Sequence, residues 1–489
     1  MKDEIAVLKG EKKRPRFKPS KLEEQGGKEQ GERRGKRAGS EKRGKTPELE
    51  IHEERIIVPV EIPEGSRFKG YQDYVVQDLV IRAHNTRYRL ERWQTPQGES
   101  LIGRLPESVE GHFGPTLVSY IVYQHHHAQV TQPLLREQLQ EWGIEISAGQ
   151  IDALLSSSKE DFFEEKGELL RAGLETSRYI TVDDTGARHQ GKNGYATHLG
   201  NEFFAWFQST EHKSRINFLE LLRAGSTDYR VDEEALAYMH AQKLPRWAVE
   251  QLGQDPERVF ADLELWQGHL KRMGITQERH RRIATEGALL GSVLHHGCPE
   301  DLAIVSDDAG QFNLLCHGLC WVHAERLIHK LIPLNDPHRV ELHSVRGQIW
   351  DLYAELKDYK TQPSAVKKAE LEARFEEIFT TQTSFATLNA TLTRLHRNKA
   401  ELLRVLERPE VPLHTNGSER DIREYVKKRK VSGGTRSELG RRCRDTFISL
   451  KKTCRKLGIS FWKYLTDRLS GSHEIPPLPT IIRQQATPQ

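Results

Sequence analysis

Two apolar stretches of this chain each end in a pair of aspartates, and this feature limits the possible folds more than any other. The first reads YITVDD at 179–184, and the second reads DLAIVSDD at 301–308. Short continuous apolar runs followed by polar turn residues are typical of strands buried inside a sheet. We therefore expect a sheet-containing core in which carboxylates stand at the ends of two separate strands.

A third acid, Glu419, falls in the first turn of a predicted late helix. Three carboxylates from separate segments suit a pair of divalent cations, the arrangement that supports in-line phosphoryl transfer. Mg²⁺ is a hard ion that prefers oxygen ligands, and Mn²⁺ could take its place. Without a cation, carboxylates on one spot would repel each other and some would stay protonated. The acids therefore predict two bound Mg²⁺ or Mn²⁺ ions.

The same acids also have structural interpretations. Aspartates often cap turns after strands, and Asn416 with Glu419 has the spacing of a capping box, in which the glutamate would only secure the helix start. Alternation along a strand puts Asp183 and Asp184 on opposite faces of the sheet. Spacing alone does not decide which of these two aspartates would bind a metal ion. It also does not decide between Asp307 and Asp308.

Positive charge is concentrated beside Glu419. Residues 420–456 hold 14 Lys and Arg against 4 Asp and Glu. Such a run is usually a solvated face, but next to candidate metal ligands it favours a cradle for the DNA backbone, because lysine and arginine neutralise phosphates. The candidate DNA-binding residues are Arg420, Arg423, Lys427, Lys428, Arg429, Lys430, Arg436, Arg441 and Arg442.

The five cysteines all lie after residue 297. Sparse and odd-numbered cysteines argue against a disulfide framework and fit a reducing cytosol. Cys316, Cys320 and His323 would give zinc three ligands and no clear fourth, so we expect a structural packing role for Cys320 and His323 and no zinc. Neither a secretory signal nor a membrane span is expected, because no suitable apolar run exists. We expect a cytoplasmic, nucleoid-associated protein.

The chain divides by composition and periodicity. Residues 1–50 carry 16 Lys and Arg against 10 Asp and Glu, with few large apolar residues, and predict a disordered basic arm. Stretches such as ERIIVPVEIP at 54–63 predict strands, and 132–155 predicts a helix-turn-helix-like hairpin with Ser147 as an N-cap. The predicted divisions are a DNA-binding N-terminal region 51–175, core segments 176–227, 298–330 and 411–470, helical insertions 228–297 and 331–410, and a flexible tail 471–489.

Three blocks of the chain resemble, in order, the catalytic blocks of the bacterial insertion-sequence transposases of family sixty-six. They are VDDTGARHQGKNGYATHLG, SDDAGQF with LCWVHAERLIHK, and a long block that begins NGSERDIREYVKKRKVSGG. The resemblance covers about residues 115–470 and implies an α+β or α/β fold, in which an RNase H-like mixed sheet is flanked by helices. It also implies an Asp-Asp-Glu triad, large helical insertions and a DNA-binding N-terminal region of helices and strands.

By this resemblance the triad maps onto Asp183, Asp307 and Glu419, with Asp184 and Asp308 as the less favoured alternatives. Asp308 stands where the family has glycine. The implied activity is Mg²⁺-dependent cleavage at transposon ends followed by strand transfer into target DNA. The implied partners are both of those DNAs, further copies of the chain on DNA, and small companion proteins of the element; no membrane is implied.

The N-terminal region departs from the family, which usually carries a leucine-rich helix and a cysteine-rich zinc segment before the core. Two other functions stay open on the sequence: a catalytically silent relative that binds DNA as a repressor or scaffold, and an RNase H-like nuclease or resolvase that cuts without joining.

Overall fold

A computed structural model describes residues 50–106 and 111–486 of the chain, so the predicted basic arm, except for Glu50, lies outside the described residues. The chain divides into two compact units, 1–81 and 82–489. Within the described part of the first unit, residues 50–81 form neither helix nor strand. The strand predicted at 54–63 is therefore wrong: Ile57 is 90% exposed and Val60 fully exposed, and among residues 50–81 the alternating pattern meets no partner strand or apolar surface.

The second unit begins with a small hairpin and four helices. Strands β1 (Arg92–Gln94) and β2 (Ser100–Ile102) pair antiparallel. The helices that follow are α1 (Pro115–His126), α2 (Gln132–Glu141), α3 (Ala148–Ser156) and α4 (Glu160–Thr176). The predicted helix hairpin is confirmed as α2 and α3, and Ser147 caps α3 in a capping box with Gln150.

A five-stranded mixed sheet forms the centre of this unit, in the order β5-β4-β3-β8-β9. Its strands are β3 (Tyr179–His189), β4 (Lys192–Gly200), β5 (Ala205–Thr210), β8 (Ala303–Ser306) and β9 (Cys316–Leu319). The first three are antiparallel neighbours, and β8 and β9 run parallel to β3. The predicted mixed sheet flanked by helices is confirmed, and the strands that carry or precede the two aspartate pairs lie side by side within it. The strand end predicted at Asp183 and Asp184 is wrong, because pairing with β4 continues β3 to His189, whereas β8 does end directly before Asp307.

The first predicted insertion contains four helices and a two-stranded ribbon. After helix α5 (Arg215–Leu222), the ribbon pairs β6 (Tyr229–Arg230) with β7 (Val259–Phe260). The helices are α6 (Glu233–Ala241), α7 (Arg246–Gln254), α8 (Leu263–Arg272) and α9 (Glu278–His295). Their apolar residues join the main core.

The second predicted insertion has a hydrophobic core of its own, made with helix α10 (Trp321–His329). Its helices are α11 (Asp336–Tyr359), α12 (Ala365–Phe379), α13 (Ala386–Arg397), α14 (Lys399–Leu402) and α15 (Arg404–Glu407). Four helices complete the chain: α16 (Asn416–Ser432), α17 (Glu438–Lys456), α18 (Phe461–Ser470) and α19 (Leu478–Ala486). The last of them falls in the tail that was predicted to be flexible. Within residues 50–106 and 111–486, no helix is long and apolar enough to cross a membrane.

Helix α17 covers the edge of the sheet that β5 forms. The outward N–H groups of alternate β5 residues donate to side-chain oxygens of α17: Ala205 to Thr453 at 3.1 Å, Phe207 to Ser449 at 2.9 Å and Ser209 to Asp445 at 2.7 Å. The match is geometric, because two strand residues rise about 6.8 Å and four helix residues about 6 Å. An edge strand that would otherwise invite pairing with another chain is thereby covered.

Candidate active site

The two aspartate pairs meet because their strands are parallel neighbours. Thr181 of β3 lies opposite Val305 of β8, so two residues further along each strand Asp183 comes beside Asp307. Burial raises the pKa of the Asp183 carboxyl to about 6, and the charges of Asp307 and Asp184 act in the same direction. The backbone N–H of Asp184 and the side chain of His323 oppose this effect. Asp183 is thus a largely buried carboxyl group with the carboxyl groups of Asp307 and Asp184 nearby.

The faces of β3 separate Asp183 from Asp184. Thr181 and Ala187, on the same side as Asp183, contact helix α16: the Ser418 hydroxyl donates to Thr181 Oγ1 at 2.6 Å, and Ala187 packs with Ile422. Asp183 therefore faces α16. Asp184 faces the other way, where Lys213 Nζ lies 2.9 Å from its Oδ1 and Gln311 Nε2 donates to its Oδ2 at 2.9 Å.

Asp307 and Asp308 also have different environments. Asp308 forms an ion pair with Arg394 of α13 and accepts from Asn398 Nδ2 at 3.3 Å, so the second insertion engages it. The Asp307 carboxylate accepts only from the nearby backbone N–H of Ala309, at 3.2 Å, among the hydrogen bonds of the described residues. Both aspartates line a cavity of about 310 Å³ that also contains Cys320, His323, Arg326, Lys330 and Asn398.

Glu419 lies in the first turn of α16, the helix that Asp183 faces. Its Oε1 atom is 3.5 Å from His323 Nε2 and 3.7 Å from Arg326 Nη2. That oxygen is buried and has no hydrogen-bond partner within the described residues. The capping-box interpretation is wrong, because α16 begins at Asn416, its N-cap is Thr415, and no side chain caps it. The glutamate side chain therefore does not cap the helix, and it points toward α10.

Cys320 and His323 form a hydrogen-bonded pair, and His323 lies next to Glu419. Burial acts to raise the pKa of the Cys320 thiol, but hydrogen bonds from His323 and from the Thr415 N–H, which is 3.4 Å from Sγ, bring it below its ordinary value. The bond to Cys320 and the charges of Cys320 and Glu419 raise the pKa of His323 against the effect of burial. Cys320 is buried, as its predicted packing role requires, whereas His323 has polar contacts that the packing interpretation did not include.

The acids approach one another without forming a closed ligand set. In the described ranges, no three His, Cys, Asp or Glu residues are gathered closely enough to hold a metal ion in this arrangement. Several polar neighbours of the acids were not found from the sequence: Lys213, Gln311, Arg326, Lys330, Arg394 and Asn398. The one sequence signal for any of them is the three-residue spacing of His323 and Arg326, which puts both on one face of α10.

The candidate DNA-binding residues fall into two groups. Three of them are partly buried by contacts within the protein: Lys428 donates to the His125 carbonyl at 2.9 Å, Arg429 donates to the Gly186 carbonyl, and Arg441 lies 2.7 Å from Glu438. The other six are exposed, and one of these, Arg442, also stacks over the Phe163 ring at 3.9 Å. Arg420 is exposed but donates to the Asn416 carbonyl at 3.3 Å. The exposed residues are Arg420, Arg423, Lys427, Lys430, Arg436 and Arg442.

The strand order and directions of the sheet, with acids within β3 and directly after β8, define an α+β protein with a mixed sheet flanked by helices. The family described as Transposase IS66 family matches residues 110–225 and 303–442, and the chain belongs to this family. The unmatched interval contains the whole first insertion.

A relative from Sinorhizobium fredii (strain NBRC 101917 / NGR234), named uncharacterized protein y4jO, is 44% identical over 321 residues. The aligned region covers 65% of this chain and 100% of the relative. The match to the family confirms the resemblance seen in the three sequence blocks.

Proposed function

We propose that this transposase cleaves DNA at transposon ends and joins the freed 3′-hydroxyl to target DNA, using Asp183, Asp307 and Glu419 to hold two Mg²⁺ or Mn²⁺ ions. The proposal includes several copies of the chain acting together on paired ends, with small companion proteins of the element. DNA processing follows from the family; the metal-dependent chemistry and the triad are our inference.

The observation that carries the proposal is the contact between β3 and α16. Asp183 and Asp307 occupy neighbouring positions on parallel strands. The Ser418–Thr181 hydrogen bond of 2.6 Å fixes the first turn of α16 over the same face of the sheet. Glu419 follows Ser418 directly, so three acids from distant parts of the chain come to one side of one sheet. No requirement of folding stability explains such a concentration of negative charge.

The donor chemistry fits a divalent cation. The ligands are carboxylate oxygens, which hard ions prefer, and the buried Glu419 Oε1 lacks a hydrogen-bond partner in the described part of the chain. Burial and, to a smaller extent, the charges of Asp307 and Asp184 raise the pKa of the Asp183 carboxyl, and a bound cation would offset both effects. When bound, a pair of such ions activates the attacking oxygen and stabilises the leaving oxygen.

The protein's own side chains have separate tasks in this proposal. Asp183, Asp307 and Glu419 supply the ligands. His323 and Arg326 orient the Glu419 carboxylate from the cavity side, where they lie within 4 Å of it. Asp184 is held away from the site by Lys213 and Gln311 on the opposite face. Exposed arginines of α16 position the DNA backbone, since such contacts fix register without reading sequence.

A combined cleavage and joining assay tests the proposal. End-labelled DNA carrying the candidate transposon ends is incubated with target DNA and Mg²⁺, using the native chain and the Asp183→Asn variant. We expect the native chain to cut and join and the variant to do neither. Cutting without joining would instead identify a nuclease or resolvase, and binding without either reaction would identify a silent DNA-binding relative.

The raised pKa of Asp183 predicts a stability difference that depends on pH. The unfolded carboxyl titrates near 3.8 and the folded one at about 6, so ionisation costs folding free energy as the pH rises between these values. Asp183→Asn removes that cost. In the absence of divalent cations, denaturation should show equal stability of the two proteins at pH 4, and a more stable variant above pH 6, by up to about 3 kcal/mol.

Added Mg²⁺ should then stabilise the native chain and leave the variant unchanged, because the ion binds only the complete ligand set. Asp232→Ala, which removes the side-chain N-cap of α6, serves as a control that should lower stability at every pH. A variant that is less stable than the native chain at pH 8 without divalent ions would contradict the environment assigned to Asp183.

A further inference from the structure

A second and larger cavity lies on the same face of the sheet as Asp183. It is an open groove of about 850 Å³ between helices α16 and α17, the turn after α1, and the start of β3. Six of its lining residues are Lys or Arg, arranged on the facing sides of the two helices: Arg420, Arg423, Lys427, Lys452, Arg455 and Lys456. On α16 they recur at three- and four-residue intervals, so they form one stripe along that helix.

Two of the six cations are already neutralised within the protein. Lys452 Nζ lies 2.6 Å from Glu424 and 3.4 Å from Asp421, and Lys456 Nζ lies 3.1 Å from Asp421. These pairs use the two acids that α16 contributes to the groove. The paired side chains form a wall of the groove and add no net charge to it.

The other four cations are exposed: Arg420, Arg423, Lys427 and Arg455. Within residues 50–106 and 111–486, none of them forms an ion pair with a carboxylate. Positive charge that the fold does not use, lining both sides of one groove, suits an extended polyanion better than a single small anion.

The groove begins where the candidate active site ends. Thr181 lines the groove and stands two residues before Asp183 on the same face of β3. Gly417 and Arg420 line it and flank Glu419 on α16. On its other side Glu419 meets the 310 Å³ cavity that contains Asp307 and His323. A chain of phosphates crossing the three acids would therefore continue into the groove.

We propose that this groove binds the phosphodiester backbone of the DNA on one side of the cleaved bond, with Arg423, Lys427 and Arg455 as its phosphate contacts. The inference rests on the proposed function for the identity of the polyanion. Guanidinium groups bind phosphate through paired hydrogen bonds, and each neutralised phosphate releases counterions. Arg455 belongs to α17, so the groove clamps the backbone from two helices.

Binding measured without divalent ions tests the groove separately from catalysis. The variant combines Arg423→Gln, Lys427→Gln and Arg455→Gln. A matched control removes the same charge from exposed positions of the first insertion, through Lys271→Gln, Arg279→Gln and Arg281→Gln. Fluorescence anisotropy with a labelled duplex end, in EDTA at several salt concentrations, gives the affinity and its salt dependence. Thermal melting confirms that both variants fold, as exposed positions allow.

We expect the groove variant to bind at least tenfold more weakly at fixed salt, and its plot of log affinity against log salt to lose a slope of roughly 2 to 3, since each duplex phosphate contributes about 0.9. The control should change affinity less than about threefold. A groove variant that binds as the native chain does, or a control that loses as much, would overturn the proposal.

The two proposals fail in different ways. If Glu419→Gln retains strand transfer while the groove variant loses DNA binding, the triad assignment fails and the groove stands. If Glu419→Gln abolishes strand transfer while the groove variant binds normally, the groove alone fails.

Discussion

Replacing Glu419 by glutamine is expected to lower strand transfer at least about a thousandfold, because catalytic groups that act as a unit lose most of their effect when one is removed. Glutamine has the shape of glutamate and still reaches His323 and Arg326, but it lacks the charge that a divalent ion requires. DNA binding should stay within about twofold of the native value, since the groove cations that supply most of the affinity are untouched.

A comparison variant separates this effect from a general loss of negative charge. Glu438 occupies the first turn of α17, as Glu419 does in α16, and its side chain is 67% exposed and pairs with Arg441 and His189. Glu438→Gln should keep strand transfer within about threefold of native, because exposed ion pairs contribute little. A Glu419→Gln protein with a tenth or more of native joining would show that this carboxylate is dispensable.

The largest stability effect is expected at Asp421, two residues after Glu419. Asp421 is buried at 7% exposure beside His198 of β4 at 3.4 Å, Lys452 at 3.4 Å and Lys456 at 3.1 Å. Burial acts to raise the pKa of its carboxyl, but His198 and the two lysines hold that pKa well below its usual range. Asp421→Asn leaves Lys452 and Lys456 with less compensation and should cost about 3–5 kcal/mol of unfolding free energy.

The sign of the pH dependence follows from that lowered pKa. A depressed carboxyl stabilises the folded state above the unfolded pKa of 3.8, and this stabilisation is lost as the pH falls toward the folded value. Urea denaturation should therefore show a constant gap between native and variant from pH 5 to pH 8, and a smaller gap below pH 4.

The matched control is Asp301→Asn, which breaks an ion pair with Arg408 at 3.1 Å where the aspartate is 76% exposed. It should cost less than about 1 kcal/mol. If Asp421→Asn unfolds as easily as the control, the buried charges do not anchor α16 to the sheet. Because α16 carries Glu419, that anchor also sets where the third acid lies.

Much of the sheet and of the helical insertions could be predicted from local pattern. The apolar runs before Asp183 and Asp307 identified two core strands, and Ser147 located the start of a helix, because alternation and capping are properties of a few neighbouring residues. Local pattern alone left the choice between Asp183 and Asp184 open, and only the family resemblance favoured Asp183, because the environment of each side chain depends on which face of β3 is covered by α16. That choice depends on contacts such as Ser418 to Thr181, which span 237 residues of sequence.

Tertiary context also decides what a charged residue does. The basic run of 420–456 suggests a uniform cradle, yet Lys451 and Lys452 are buried against Glu424, and Arg444 lies with Asp445. Arg455 belongs to the same run and is free to face the groove. Composition cannot separate these cases, because the difference is made by the acids of α16 and by the edge strand that α17 covers. The alternation at 54–63 also depends on tertiary context, because it has no partner strand among residues 50–81 and forms no strand there.

The most direct test of the shared metal site is a Mn²⁺ titration followed by electron paramagnetic resonance, comparing the triad with its immediate neighbours. We expect Asp183→Asn, Asp307→Asn and Glu419→Gln each to weaken Mn²⁺ binding at least about tenfold, and Asp184→Asn and Asp308→Asn to change it less than about threefold. Binding that survives all three triad changes, or that is lost at Asp184 or Asp308 instead, would contradict the assignment of Asp183, Asp307 and Glu419 to one metal site.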